Sequence, residues 1–71
     1  MFQVGDVVRL DGEGWKEYCS TPLWGREFEV KEVEADGRGV IPIVPAREGG
    51  YYMGWASPDV NNPLYGVVVS R

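Results

Sequence analysis

The chain has 71 residues, with seven Lys and Arg against eleven Asp and Glu, no His, and a formal net charge of −4. No two basic residues are adjacent, so the basic patch that releases counterions from a phosphate backbone is missing and a nucleic-acid partner is not expected. A chain this short holds one domain, residues 1–71, and buries only about 60% of its unfolded surface.

Three Trp, four Tyr and two Phe are the natural remedy for so small a core, since each ring buries roughly 150–250 Å². With 44% apolar and 25% charged residues the composition is that of a folded domain, and ten Gly with five Pro imply short elements and frequent turns. That pattern favours an all-β fold. A single cysteine, Cys19, excludes an internal disulfide. The opening MFQVGDVVRL has no basic region ahead of an apolar run, so no signal peptide is expected. No stretch is apolar for long enough to span a membrane. A cytoplasmic, free-standing protein beginning at Met1 is the expectation.

The first strand is read at Val7 to Leu10, where Gly5-Asp6 turns the chain into the β-branched pair Val7-Val8. Residues 11–27 show no clean period and contain Gly12, Gly14 and Pro22, which marks a long excursion rather than a hairpin loop. A second strand is read from Glu27 to Glu34. Its alternation slips between Val30 and Val33, the signature of a bulge or sharp bend. Asp36-Gly37 is a hairpin signal. The third strand is VIPIV, residues 40–44, where Pro42 requires an edge or a bulge. PAREGG is a second loop, and Tyr51 to Trp55 form a fourth strand. Ser57 as N-cap before Pro58 predicts one short helical turn. Tyr65 to Ser70 is the fifth strand. Period two places Val8, Leu10, Phe28, Val30, Val40, Ile43, Val67 and Val69 in the core.

VGDVVRL at 4–10, GREFEVKEV at 25–33 and SPDVNNPLYGVVV at 57–69 follow one another in a familiar order. The layout resembles the Src-homology-3-like small barrel, a family that includes Tudor, KOW and free-standing bacterial and phage barrels. The resemblance implies five strands, a long first loop and one short helical turn before the last strand. The signature ALYDY is absent, with VVRLDG in its place, and no Trp-Trp pair occurs. Those departures separate the chain from proline-rich peptide recognition.

Catalytic motifs are not found. Without His, and with one Cys, neither a zinc site nor a Cys–His dyad can form. Asp11, Glu13 and Glu17 fail as a calcium loop, because Trp15 and Lys16 fall where an oxygen ligand and the glycine belong. Gly12-x-Gly14 lacks the rest of a nucleotide-binding loop. The expectation is no enzyme, no metal and no cofactor.

On the fourth strand Tyr51, Met53 and Trp55 share one face, so taking Met53 and Trp55 as core leaves Tyr52 outside. In the resembled barrels the long loop and the region before the last strand frame the ligand groove. Trp15, Tyr18 and Trp24 would be one wall, with Tyr52 and Tyr65 across from them. Glu27, Glu29, Glu32 and Glu34 would give it an acidic margin. The leading function is therefore a non-enzymatic protein-interaction module binding a protein partner through an aromatic face, for instance a phage or mobile-element modulator of a host protein. One alternative is an assembly subunit that forms a homo-oligomer through a strand edge. The other is an acidic nucleic-acid mimic, with Asp36 extending the same charge run.

Overall fold

A computed structural model describes residues 1–18, 20–45 and 49–71, and for Val44, Pro45 and Tyr51 the backbone alone. The loop read at PAREGG falls largely on residues 46–48 and the reading of Cys19 on that residue itself, both outside the described residues.

The chain is all-β, as its composition implies, and among the described residues it forms six strands where five were expected. They are β1 (Val7–Leu10), β2 (Glu27–Glu29), β3 (Glu32–Val33), β4 (Gly39–Pro45), β5 (Tyr51–Ala56) and β6 (Gly66–Ser70). The extra strand arises where the alternation slips. Val30 is fully buried between β2 and β3, and its N–H donates to the Asp6 carbonyl at 2.8 Å. The next N–H, that of Lys31, donates to the Val40 carbonyl on β4, also at 2.8 Å. One continuous segment thus bends and serves two antiparallel sheets, in the orders β2-β1-β6 and β3-β4-β5. Among the described residues no ladder joins the two sheets, so the closed barrel of the sequence reading is corrected to a pair of three-stranded sheets.

The expected helical turn before the last strand is also corrected. Ser57 does cap, its Oγ accepting from the Asp59 N–H at 3.1 Å, but the chain then turns instead of coiling. Asp59 Oδ1 accepts from Asn61 N–H and Asn62 Oδ1 from Leu64 N–H, both at 2.9 Å. Side chains that bond backbone two residues ahead compete with helix formation. The helical segment lies instead in the long loop, a 3-10 helix at Glu13–Glu17.

Both sheets turn one face inward on Phe2, Val8, Leu10, Trp15, Leu23, Val30, Ile41, Ile43 and Ala56. Five of the eight expected core residues are buried, namely Val8, Leu10, Val30, Val40 and Ile43, while Phe28 is half-buried against the core. The phase of β6 is the reverse of that read from sequence. Val68 pairs with buried Val8 and Gly66 with buried Leu10, so Val67 and Val69 face outward. Pro42 sits at a register shift of the β4–β5 ladder, the bulge its missing N–H requires, although β4 is a central strand.

Trp15→Ala should cost roughly 3–5 kcal/mol, by cavity formation, whereas Val69→Ala on the outer face should stay within about 0.5 kcal/mol of the parent. Denaturant melts of the two variants decide this. Comparable losses would mean that Trp15 does not carry the core.

Candidate functional site

The long loop is tied to the segment before β6 by one oxygen. The Tyr65 carbonyl accepts from the N–H groups of Asp11 at 3.0 Å and Gly12 at 3.1 Å, and from the Trp15 indole Nε1 at 3.1 Å. Gly14 N–H adds a bond to the Pro63 carbonyl at 2.8 Å. Gly12 is required by this closeness. A Cβ there would strike the Pro63 carbonyl oxygen and stand 2.6 Å from the Tyr65 nitrogen, so any side chain would push the two segments apart.

Above this seam lies an open groove of about 420 Å³, with Asp11, Gly12 and Glu13 on one side and Val60, Asn61, Asn62 and Pro63 on the other, and with Tyr65 lining it. Its chemistry is mixed. Val60, Pro63 and the Tyr65 ring offer apolar contact, the two asparagines offer amides, and Asp11 and Glu13 offer carboxylates. Arg9 grips Asp11 with two bonds, Nε to Oδ1 and Nη2 to Oδ2, each 3.0 Å. The hydrogen bonds and charge of that guanidinium hold the Asp11 carboxyl below the usual aspartate range. Glu13 pairs with Lys16 at 3.1 Å on the open surface, a contact worth little in water.

The structure divides the predicted aromatic cluster. Trp15 is 0% exposed and belongs to the core, so the wall assigned to it is corrected. Its ring stacks at a tilt on the half-buried Tyr18, with centroids 4.9 Å apart. Trp24 is 54% exposed and stands beside the groove, its Nε1 donating to the Asp11 carbonyl at 3.3 Å, with Lys16 Nζ 5.8 Å from the ring centre. Tyr65 lines the groove itself. Tyr52, 62% exposed, is elsewhere. It lies five positions along the strand from Ser57, which bridges to Tyr65, a strand length of about 16 Å.

The face assignment on β5 is reversed as well. Gly54 pairs with Ile41 and Ala56 with Gly39, and these four line the interior. Met53 and Trp55 point outward, 49% and 44% exposed. Gly54 has no side chain because Ile43 occupies the space: a Cβ would collide with Ile43 Cδ1. Trp55 lies opposite Val40, donates from Nε1 to Glu34 Oε1 at 3.4 Å, and has the Arg38 guanidinium 4.9 Å from its ring centre.

The acidic margin is not a stripe. The bend sends Glu27 and Glu29 to one sheet and Glu32 to the other, with Glu34 just beyond it. Glu27 lies opposite Arg9, Glu29 pairs with Lys31 at 3.4 Å, and Glu34 accepts from Trp55. A second cleft of about 500 Å³, lined by residues 26–29, Lys31, Pro42 and Ile43, opens on the flank beside β2. Among the described residues no helix is long and apolar enough to cross a membrane. No protein-family model, curated protein or solved structure matches the chain.

Sequence reasoning framed the groove with the long loop and the region before the last strand and put Tyr65 on it; the lining includes Tyr65 and, from that region, residues 60–63, none of which it named. Their signal was the run SPDVNN, whose side chains bond their own backbone.

Because folding lowers the Asp11 pKa, its stabilising contribution is complete above the unfolded value of about 3.9 and is lost as pH falls through the folded value. An NMR titration should place the Asp11 carboxyl below the ordinary range, and Arg9→Met should return it there. An unchanged midpoint in the variant would show that Arg9 is not the cause.

Proposed function

We propose that this chain is a small non-enzymatic protein-interaction module, Src-homology-3-like in layout, that docks a basic, partly apolar segment of a protein partner in the groove beside Tyr65. The layout reading is supported by one bent strand serving two three-stranded sheets and by a long loop between the first two strands. The observation that carries the function is the groove, in which apolar surface and two carboxylates converge on a seam of backbone bonds. A fixed seam spares the ligand the cost of ordering a loop.

Charge selects the partner's sign. The excess of acids lies wholly in residues 1–38, which hold five basic and nine acidic side chains. A Lys or Arg stem can lie on Tyr65 and Pro63 while its head meets Asp11 or Glu13. Trp24 at the margin offers a wide, stiff ring of the kind that anchors interfaces. The nucleic-acid mimic has less support, because its carboxylates divide between two sheets.

Capture of the partner from lysate by immobilised protein is the test. Trp24→Ala and Tyr65→Ala, once shown to melt normally, should each weaken capture by about 2 kcal/mol or more, roughly thirty-fold, and added salt should weaken it further. Tyr52→Ala should bind as the parent does. Capture that survives both groove substitutions would remove the groove from the function.

A further inference from the structure

The register of β2 against β1 shows which of its backbone groups are free. Leu10 N–H donates to the Arg26 carbonyl at 2.9 Å, and Val30 N–H to the Asp6 carbonyl at 2.8 Å. The pairs between these two bonds are Arg9–Glu27, Val8–Phe28 and Val7–Glu29. Hydrogen-bonded and non-hydrogen-bonded pairs alternate along an antiparallel ladder. Phe28 therefore bonds Val8, while Glu27 and Glu29 turn their N–H and C=O groups away from β1. β2 is the outermost strand of its sheet, and among the described residues no backbone group beyond that edge bonds Glu27 or Glu29. At Lys31 the chain passes to β4, where its N–H meets the Val40 carbonyl. The free stretch is thus the three residues of β2, about 10 Å long.

That edge looks into the second cleft, of about 500 Å³, with residues 26–29 and Lys31 on one side and Pro42 and Ile43 of β4 on the other. The cleft lies where the two sheets approach without a ladder between them. Its inner side is apolar, since Phe28 packs half-buried against the core and Ile43 is buried. Strand alternation puts Glu27 and Glu29 on the outer face of β2 and Arg26 and Phe28 on the inner one. The Arg26 guanidinium stands 5.4 Å from the Phe28 ring centre.

We propose that this edge takes an extended segment of a partner protein reading cation–apolar–cation, laid as an added strand into the cleft between β2 and β4. Such a strand bonds the free N–H and C=O groups of Glu27 and Glu29 and sets two of its own residues directly opposite the glutamates. Lys or Arg there makes an opposite-charge cross-strand pair. The residue between them faces Phe28, Pro42 and Ile43 and is apolar. Arg26 stands on that inner side and repels a cation, so repulsion as well as attraction fixes the order of charges. Main-chain bonds give added strands their affinity, and alternate side chains give them specificity.

The acidic edge also says what the occupant is not. Two β2 edges brought together set Glu against Glu, an unfavourable pair, so a second copy is refused. Charges on an edge deter like strands and leave a cationic one able to pair, in keeping with the net charge of −4. The cleft shares no lining residue with the groove beside Tyr65, and the proposal does not rest on that groove.

The probe is the capped peptide Thr-Lys-Val-Lys-Thr, titrated to millimolar concentration into the isotope-labelled intact chain, since so short an edge binds weakly. Exchange of the Glu27 and Glu29 amides should slow as peptide is added, while that of Phe28, already bonded to Val8, holds constant. The peptide's lysines direct their N–H groups at β2 and its valine directs its own away. N-methylation of either lysine should weaken binding at least about ten-fold, and N-methylation of the valine should cost much less. Glu27→Gln combined with Glu29→Gln should weaken binding about five-fold, whereas Tyr65→Ala should bind as the parent does. Should the glutamine variant unfold, the N-methylated peptides decide alone. No binding at millimolar peptide, equal binding of the N-methyl-lysine peptides, undiminished binding by the folded glutamine variant, or perturbation centred on Asn61, Asn62 and Tyr65 would each overturn the added strand.

Discussion

Much of the molecule depends on the Tyr65 carbonyl. It takes three N–H donors, two from the backbone of the long loop and one from the Trp15 indole, where a carbonyl oxygen has two lone pairs. Such crowding fixes both partners. Within the loop Tyr18 and Thr21 pair in one isolated antiparallel bridge, and the Tyr65 and Pro63 carbonyls take the N–H groups at its start, residues 11, 12 and 14. A buried Trp needs somewhere to send its N–H, and the same bond that satisfies the indole closes the core beneath the groove. Folding and the site thus draw on one contact. Removing Trp15 would loosen the core, while the groove above it presents Tyr65, Pro63 and Val60 to a ligand.

The bend at Val30 and Lys31 is the complementary constraint. Consecutive N–H groups go to Asp6 and to Val40, which places the two sheets face to face around Val30. Asp6 is itself buried, and its Oδ2 accepts from the Gln3 N–H at 2.9 Å. The turn that opens β1 is thereby bound to the bend, and Gly5 N–H returns a bond to the Val30 carbonyl at 2.9 Å. The segment Gln3–Asp6 and the bend therefore hold each other.

Legibility followed the range of the interactions. The bend was visible because it breaks a local alternation, and the Asp36-Gly37 turn because its chemistry lies in two adjacent residues. The placement of Trp15 was not, since its partner lies fifty positions away and the loop around it has no period. β5 misled for a different reason. Its inward residues are Gly54 and Ala56, which leave no trace in a pattern of large side chains, so the rings drew the core to the wrong face. In β6 three consecutive valines carry no phase at all, and pairing with Val8 and Leu10 decides it. The turn before β6 was read as helical because Ser57 and Pro58 fit a helix start. Asp59 and Asn62 then used their side chains on local amides, and Pro63 has no N–H with which to continue a helix.

The same distribution of rings gives the molecule two surfaces of different kind. Beside Tyr65 the apolar atoms are rimmed by carboxylates, which suits a partner of opposite charge and a contact that salt weakens. On β5 the side chains of Tyr52, Met53 and Trp55 face outward from a strand without charges, and Ser57 ties the end of that strand to Leu64 and Gly66. The outer face of β5 and the groove are thus joined by the segment that carries Tyr65.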